Sequence, residues 1–334
     1  MSSDLLWLEH TDGRVSIEQL DEGRRHIRVH PHRNDLFVHE PKWTTAYPLD
    51  LIELILEING IAGLCFEIMR DEAGDFVQKH LNNDLSAYFD LGQFRDKRIL
   101  DFGCGTGASS AILARLIPGS EIVGVELSAD ALKVARARVR YYGFEDRVTF
   151  LNSPSEGDLP SGLGSFDLVV MSAVYEHLLP AERTSLMPRL WGLVCDGGHL
   201  FLNQTPDIRF PFELHTTMLP LINYLPDRLA HLAATRLTKR VRSHDTWESL
   251  LRQGLRGATE HEVQRKLSAN GGKPVLIEPS RNGLRDRIDL YYLNTDQVRL
   301  RSVKRAARFA LKGIKQLTGI CLVPDLSLVF HKRA

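Results

Sequence analysis

Ile99-Leu-Asp-Phe-Gly-Cys-Gly-Thr-Gly-Ala108 is the stretch on which the fold turns. A buried β run passes through a glycine-rich bend straight into a helix-like segment, Ala108 to Ile117, which Pro118 and Gly119 stop. Gly103, Gly105 and Gly107 allow a sharp turn and let a ligand approach where side chains would obstruct it. Outward from there the alternation repeats. SEIVGVEL (120–127), RVTFLN (147–152), FDLVVMSA (166–173) and GGHLFLNQ (197–204) are further short apolar runs. Ser128 is placed to cap a helix reaching about Tyr142 and ended by Gly143. Strands alternating with helices predict a parallel sheet built from βα units.

The rest of the chain fits around that core. Residues 1–95 read as a helical lead-in, irregular and His/Arg-rich at first, then amphipathic at Leu49–Ile58 and Phe76–Phe89. Residues 96–205 are the cofactor-binding core. A stretch rich in Pro, Arg and His, 206–272, reads as a substrate cap, and 273–334 supply a sixth strand in KPVLIEP, a basic helix from Gln297 to Leu317 and a last strand in LSLVFHK.

Composition excludes several classes. Lys+Arg and Asp+Glu balance at 42 each, so no global charge points to nucleic acid. Cys65, Cys104, Cys195 and Cys321 form no CxxC pair, and Asp4 and Glu9 stand where a signal peptide needs basic then apolar residues, so a reduced cytoplasmic protein is expected. No apolar run approaches the roughly 20 residues that span a bilayer.

Read as Gly103-x-Gly105-x-x-Ala108, the turn satisfies the dinucleotide fingerprint. Asp101, two positions earlier, argues for a different ligand, because a carboxylate facing a diphosphate would repel it. It suits S-adenosylmethionine, which carries an ammonium and a sulfonium and no phosphate. Glu126, at the end of the next strand, is placed to accept hydrogen bonds from both ribose hydroxyls.

With these residues the sequence resembles the class I S-adenosylmethionine-dependent methyltransferases, in their small-molecule branch. ILDFGCGTG is similar to that family's first motif, IVGVELS to its ribose-binding strand, FDLVVMSAVYEHL to its fourth strand and GGHLFL to its fifth. The resemblance implies a Rossmann-like seven-stranded, mostly parallel sheet with an antiparallel last strand, and cofactor and acceptor meeting above the strand ends. It implies cofactor contacts from Asp101, Gly103, Cys104, Gly105, Gly107, Glu126, Leu127 and Ser172. Where related proteins often place an aspartate for the adenine, this chain has Asn152-Ser-Pro-Ser-Glu156, and Ser155 or Glu156 is expected to substitute.

For the chemistry, a base within reach of an acceptor hydroxyl is required. His177 follows the fourth strand, and Glu213 and His215 share the same-side spacing of an extended segment. Two ligands are too few for a metal, and none is assigned. The expected reaction is O-methylation of a small molecule, a sugar or saccharide-type hydroxyl, with N- or C-methylation, a NAD-dependent oxidoreductase and a non-catalytic cofactor-binding module as competitors. Arg236, Lys239, Arg240, Arg242, Arg252 and Arg256 would suit an anionic acceptor. The run Arg299, Arg301, Lys304, Arg305, Arg308, Lys312, Lys315, interleaved with Val303, Phe309 and Ile314, has the pattern of a helix that touches an anionic membrane surface.

Overall fold

The computed structural model describes residues 5–33, 35–295 and 301–333. Asp4, Gln297 and Arg299, which entered the reading of the sequence, lie outside the described residues. In chain order the elements are β1 (Leu5–His10), β2 (Gly13–Gln19), β3 (Arg25–Pro31), β4 (Lys42–Thr45), α1 (Leu49–Glu72), α2 (Val77–Tyr88), β5 (Arg98–Phe102), α3 (Ala108–Leu116), β6 (Glu121–Glu126), α4 (Ala129–Tyr141), β7 (Val148–Asn152), β8 (Phe166–Ser172), α5 (Pro180–Leu193), β9 (Val194–Pro206), α6 (Asp227–Leu237), α7 (Trp247–Arg252), α8 (Glu260–Leu267), β10 (Pro274–Ile277), α9 (Arg287–Thr295), α10 (Arg301–Thr318) and β11 (Asp325–Lys332).

The main sheet has seven strands in the order β10-β11-β9-β8-β5-β6-β7. β5, β6, β7, β8 and β9 are mutually parallel, and β11 runs antiparallel to both β9 and β10. The expected antiparallel last strand is therefore present, wedged between the sixth strand and the fifth. Central strands such as β8 are buried on both faces, which is why they read as unbroken apolar runs rather than alternating ones. Ser128 caps α4 as expected, its hydroxyl accepting from the Ala131 amide at 3.1 Å.

The lead-in does contain two helices, but a four-stranded antiparallel sheet, β1 to β4, precedes them where the sequence read as irregular. Its inner face is Val15, Ile17, Ile27 and Val29, packed on Ile52, Ile55 and Leu64 of α1. The period-two alternation is present in RHIRVHP, but its outward positions carry Arg and His, which lowers the apolar signal without altering the pleat.

One buried cation joins this lead-in to the glycine turn. Arg138 of α4 is fully buried. Its guanidinium donates to the Tyr47 hydroxyl at 2.9 Å, the Glu67 carbonyl at 2.9 Å, the Thr106 hydroxyl at 3.0 Å and the Thr106 carbonyl, and lies 3.3 Å from the Asp71 carboxylate. Burial pulls the Glu67 carboxyl up, but Arg70 and Arg138 hold it below the usual carboxylate range.

The cap between β9 and α8 gathers its own small core, Ile222, Ala230, Ala234, Val241, Leu250 and Leu255. On α10 the basic residues face acids of the protein itself: Arg308 and Lys312 contact Asp289 at 2.6 and 2.5 Å, and Lys315 lies 3.4 Å from Asp286. Val303, Phe309 and Leu317 are left exposed. Among the described residues no helix is long and apolar enough to cross a membrane.

Arg138→Met is expected to destabilise the fold by about 3 to 5 kcal/mol, because it leaves the Asp71 carboxylate buried without its cation. Urea unfolding followed by circular dichroism measures this, and Arg138→Lys, which lacks the fork that reaches several acceptors, should recover little of the loss.

Candidate functional site

Two cavities open above the carboxyl ends of the parallel strands. The first, about 270 Å³, is lined by Gly103 of the turn, Glu126 and Leu127 at the end of β6, Ser155 and Glu156 after β7, and His177 after β8. The second, about 210 Å³, is lined by His215 and Leu214 from the cap, Asp84 of α2, Tyr291 of α9, and Asp325 and Ser327 of β11. Ala173 lines both. Ala173 and Gln204, just past β8 and at the end of β9, are held at left-handed φ of 55° and 60°, a strain that tends to collect at working sites.

The three glycines play different parts. A Cβ on Gly103 (φ 73°) would meet Val174 Cγ2 at 2.6 Å, and one on Gly107 (φ 80°) would meet Ala135 Cβ at 2.8 Å. These two are required by the protein's own neighbours. Only Gly105 (φ 54°) faces open space, where a ligand can use the missing side chain.

Asp101 does not guard the turn. It is 1% exposed, lines neither cavity, and accepts from Ser109 Oγ at 2.7 Å and Ser110 Oγ at 2.6 Å in the first turn of α3. Burial pushes its carboxyl up, and the two serines pull it back only in part. The carboxylate at the turn is that of Glu126. Its Oε2 accepts from the Gly105 amide at 2.9 Å, and its Oε1 accepts from the Leu127 and Ser128 amides at 2.7 and 2.9 Å. A diphosphate seeking the Gly105 amide would meet that charge, so the repulsion expected of Asp101 comes from Glu126 instead.

Of the other expected cofactor residues, Cys104 points its side chain into the core, where burial raises its thiol well above the usual value. Ser172 pairs within the sheet and lines neither cavity. Ala173 and Val174, the next two residues, line the first cavity in its place. Glu182 and Arg252 were not foreseen there. Arg252, on α7 of the cap, donates to Glu182 at 2.7 and 2.5 Å and lies 3.7 Å from Glu156, so the cap forms part of the cavity wall. Of the basic cap residues, Arg236, Lys239, Arg240 and Arg242 are exposed. Arg256 is spent on carbonyls of Asn223 and Leu225 and on Asp227.

His177 and His215 do come together, with ring centroids 5.6 Å apart. His177 Nδ1 lies 2.7 Å from the Arg252 carbonyl oxygen, which can only accept, so Nδ1 carries the proton and Nε2 of the neutral ring keeps its lone pair. Burial lowers both histidines below the usual value. Glu176, beside them, is fully buried and is pushed up to about 7 by that burial.

Glu213 is not presented to either cavity. The segment is a turn, not an extended strand, and the carboxylate staples it by accepting from the amides of His215 (2.7 Å), Thr216 (2.8 Å) and Thr217 (2.5 Å) and from the Thr217 hydroxyl (2.6 Å). It positions His215 and has no lone pair left for a substrate proton.

A wholly parallel dinucleotide sheet has its sixth strand beside its fifth. Here an antiparallel strand sits between them, which separates this topology from that one. Residues 100–200 match the family described as a methyltransferase domain. That match takes in the glycine turn, Glu126 and His177, so most of the wall of the first cavity falls within the matched methyltransferase domain. It is 41% identical over 88 residues to an uncharacterised protein of Synechococcus sp., covering 26% of this chain and 20% of that one. It is 29% identical over 192 residues to a trans-aconitate 2-methyltransferase of Paracidovorax citrulli, covering 53% of this chain and 69% of that one. A solved O-methyltransferase family protein from Burkholderia thailandensis superposes with a TM-score of 0.47 and 13% identity, over 84% of this chain and 61% of that one. The chain thus spans between 20% and 69% of the length of these two curated relatives.

Gly105→Ala is expected to cost about 1 kcal/mol of stability, for the left-handed backbone alone. Gly107→Ala should cost about 1 to 3 kcal/mol more, since it also forces a methyl into Ala135. Denaturant midpoints compare the two, and an equal loss would mean that α4 yields at that contact.

Proposed function

We propose that this protein transfers the methyl group of S-adenosylmethionine to a hydroxyl oxygen of a small molecule held in the second cavity. The observation that carries the reading is the junction: Ala173 belongs to both cavities, His177 faces the first, His215 faces the second, and the two rings lie 5.6 Å apart. In-line displacement needs the acceptor oxygen, the methyl carbon and the sulfonium on one axis, and two adjoining chambers supply such an axis. The cofactor's ribose lies over Glu126, its adenine toward Ser155 and Glu156, and its methyl end toward Ala173. Metabolite methylation in the cytoplasm completes the proposal; all four cysteines are unpaired, which suits a reducing compartment.

The acceptor chamber bears on the substrate class. Asp84, Gln204, Asn294, Thr295 and Ser327 offer hydrogen bonds while Tyr291 offers a ring face, a lining that suits a polyhydroxylated, saccharide-like compound. Among the described residues no Lys or Arg lines it, which favours a neutral or cationic acceptor over an anionic one. Oxidation with a nicotinamide cofactor is disfavoured by the Glu126 carboxylate at the Gly105 amide.

Calorimetry with S-adenosylmethionine and with NAD tests the cofactor, and binding of NAD alone would overturn the reading. Glu126→Ala should weaken S-adenosylmethionine at least about tenfold, because a ribose hydroxyl loses a charged acceptor and the Gly105 amide loses its partner. His215→Ala should lower turnover while leaving cofactor affinity unchanged, measured on whichever metabolite gains one methyl group in extracts supplied with the protein. Normal turnover would remove His215 from the chemistry.

A further inference from the structure

We propose that Glu176, His177 and His215 form a binding site for one divalent transition-metal cation at the junction of the two cavities, with a position left open for an oxygen of the acceptor. The proposal deepens the assignment of that junction to the acceptor hydroxyl and rests on it. One ligand atom from each of the three residues lies within 4.8 Å of the others. The tightest pair, His177 Nε2 and Glu176 Oε1, is 3.6 Å apart. Two ligands each about 2.0 to 2.1 Å from a tetrahedral ion stand about 3.4 Å from one another, so the observed gap has room for an ion and little more.

The hydrogen bonding around these atoms is that of a ligand set. His177 gives its Nδ1 proton to the Arg252 carbonyl, which fixes the ring and turns the Nε2 lone pair toward Glu176; an outer partner of this kind accompanies most metal-bound histidines. Glu176 uses Oε2 on the Thr205 hydroxyl at 2.9 Å, while Oε1 is buried with no hydrogen-bond partner. An acceptor nitrogen and an acceptor oxygen therefore face each other, one of them sealed from water, with nothing between them to donate. Such an orphaned buried oxygen is costly unless something positive meets it.

The surroundings close the site from the cap side. Gly254, at φ +90°, lies so near that a Cβ there would come within 2.7 Å of His215 Cδ2 and 3.2 Å of Glu176 Cγ, so only a glycine lets the backbone cover both ligands. The carboxyl of Asp325 lies near Glu176 and that of Glu213 near His215, which adds acidic groups around the three. The Arg183 guanidinium, which touches the Glu176 carbonyl, is directed to the carbonyls of Arg256 and Gly257 and to Glu262. A donor set of two imidazoles and one carboxylate selects zinc, cobalt, manganese or iron over magnesium and calcium, which want oxygen alone. An ion held there would lie between His177, which lines the first chamber, and His215, which lines the second. It would bind the acceptor hydroxyl and acidify it, and the histidines would then act as ligands rather than as proton acceptors.

Full-length protein stripped with a chelator and titrated with zinc(II) alone, without cofactor or acceptor, should bind one ion, and cobalt(II) should give the visible absorption of a tetrahedral or five-coordinate site. Magnesium at the same concentration should give no heat. His215→Ala, on the exposed rim, and Glu176→Gln, which keeps the shape and the Thr205 contact, should each weaken zinc at least about tenfold, with melting temperature checked alongside. His261→Ala, on an exposed face of α8, should change nothing. No zinc binding by the stripped protein, or affinity equal in all three variants, overturns the site and leaves Glu176 and His177 sharing a proton instead. S-adenosylmethionine affinity is read separately, so loss of the metal proposal and loss of the methyltransferase reading give different results.

Discussion

The guanidinium of Arg138 is the constraint on which the cofactor side of this protein depends. It is fully buried, and its donors are divided between the first helices of the chain and the glycine turn: Tyr47, Glu67 and Asp71 on one side, both oxygens of Thr106 on the other. A glycine-rich turn has few conformational restraints of its own. Here its shape is imposed from three directions, by Arg138 at Thr106, by Val174 and Ala135 crowding Gly103 and Gly107, and by Glu126 holding the Gly105 amide. The small N-terminal sheet matters to the site through this route, since it packs α1, and α1 carries Glu67 and Asp71 to the arginine.

Charge is distributed unevenly across the two chambers. In the first, Glu126, Glu156 and Glu182 outnumber one cation, Arg252, which pairs with the last two of them. In the second, Asp84 and Asp325 are not opposed by any Lys or Arg among the described lining residues, and Asp325 is pushed up to about 7, first by its burial and then by Glu176, Asp84 and Glu213. Both chambers are therefore lined by an excess of carboxylates, and only the first sets a cation among them.

Most of the doubly wound core was legible because parallel strands buried on both faces leave unbroken apolar runs, and because Ser128, Pro118 and Gly143 punctuate the helices between them. β1 to β4 were not legible, since Arg14, Arg28 and His30 occupy their outer positions and mask the alternation. Glu126, Ser155, Glu156 and His177, singled out in the sequence, line the first cavity because they stand at or beyond strand ends, where a parallel sheet delivers side chains to one edge. Asp101 lies one residue short of the end of its strand, so its direction depends on the pleat, which aims it at Ser109 and Ser110. Glu213 failed because a local turn replaced the assumed extended segment. Glu176 was passed over because a carboxylate beside a histidine looks like any helix-start acid until its burial is seen, and Arg252 because nothing in a cap sequence says which of its cations will reach back to the core.

Arg252 has two parts in the first chamber, since its guanidinium stands in the wall while its carbonyl orients the His177 ring. The same short helix is thus both roof and trigger guard. A displacement of α7 that carried the Arg252 carbonyl away would break its bond to Nδ1 and leave the imidazole free to rotate. The seat of the cap on the core and the orientation of that ring are thereby held by the same contact.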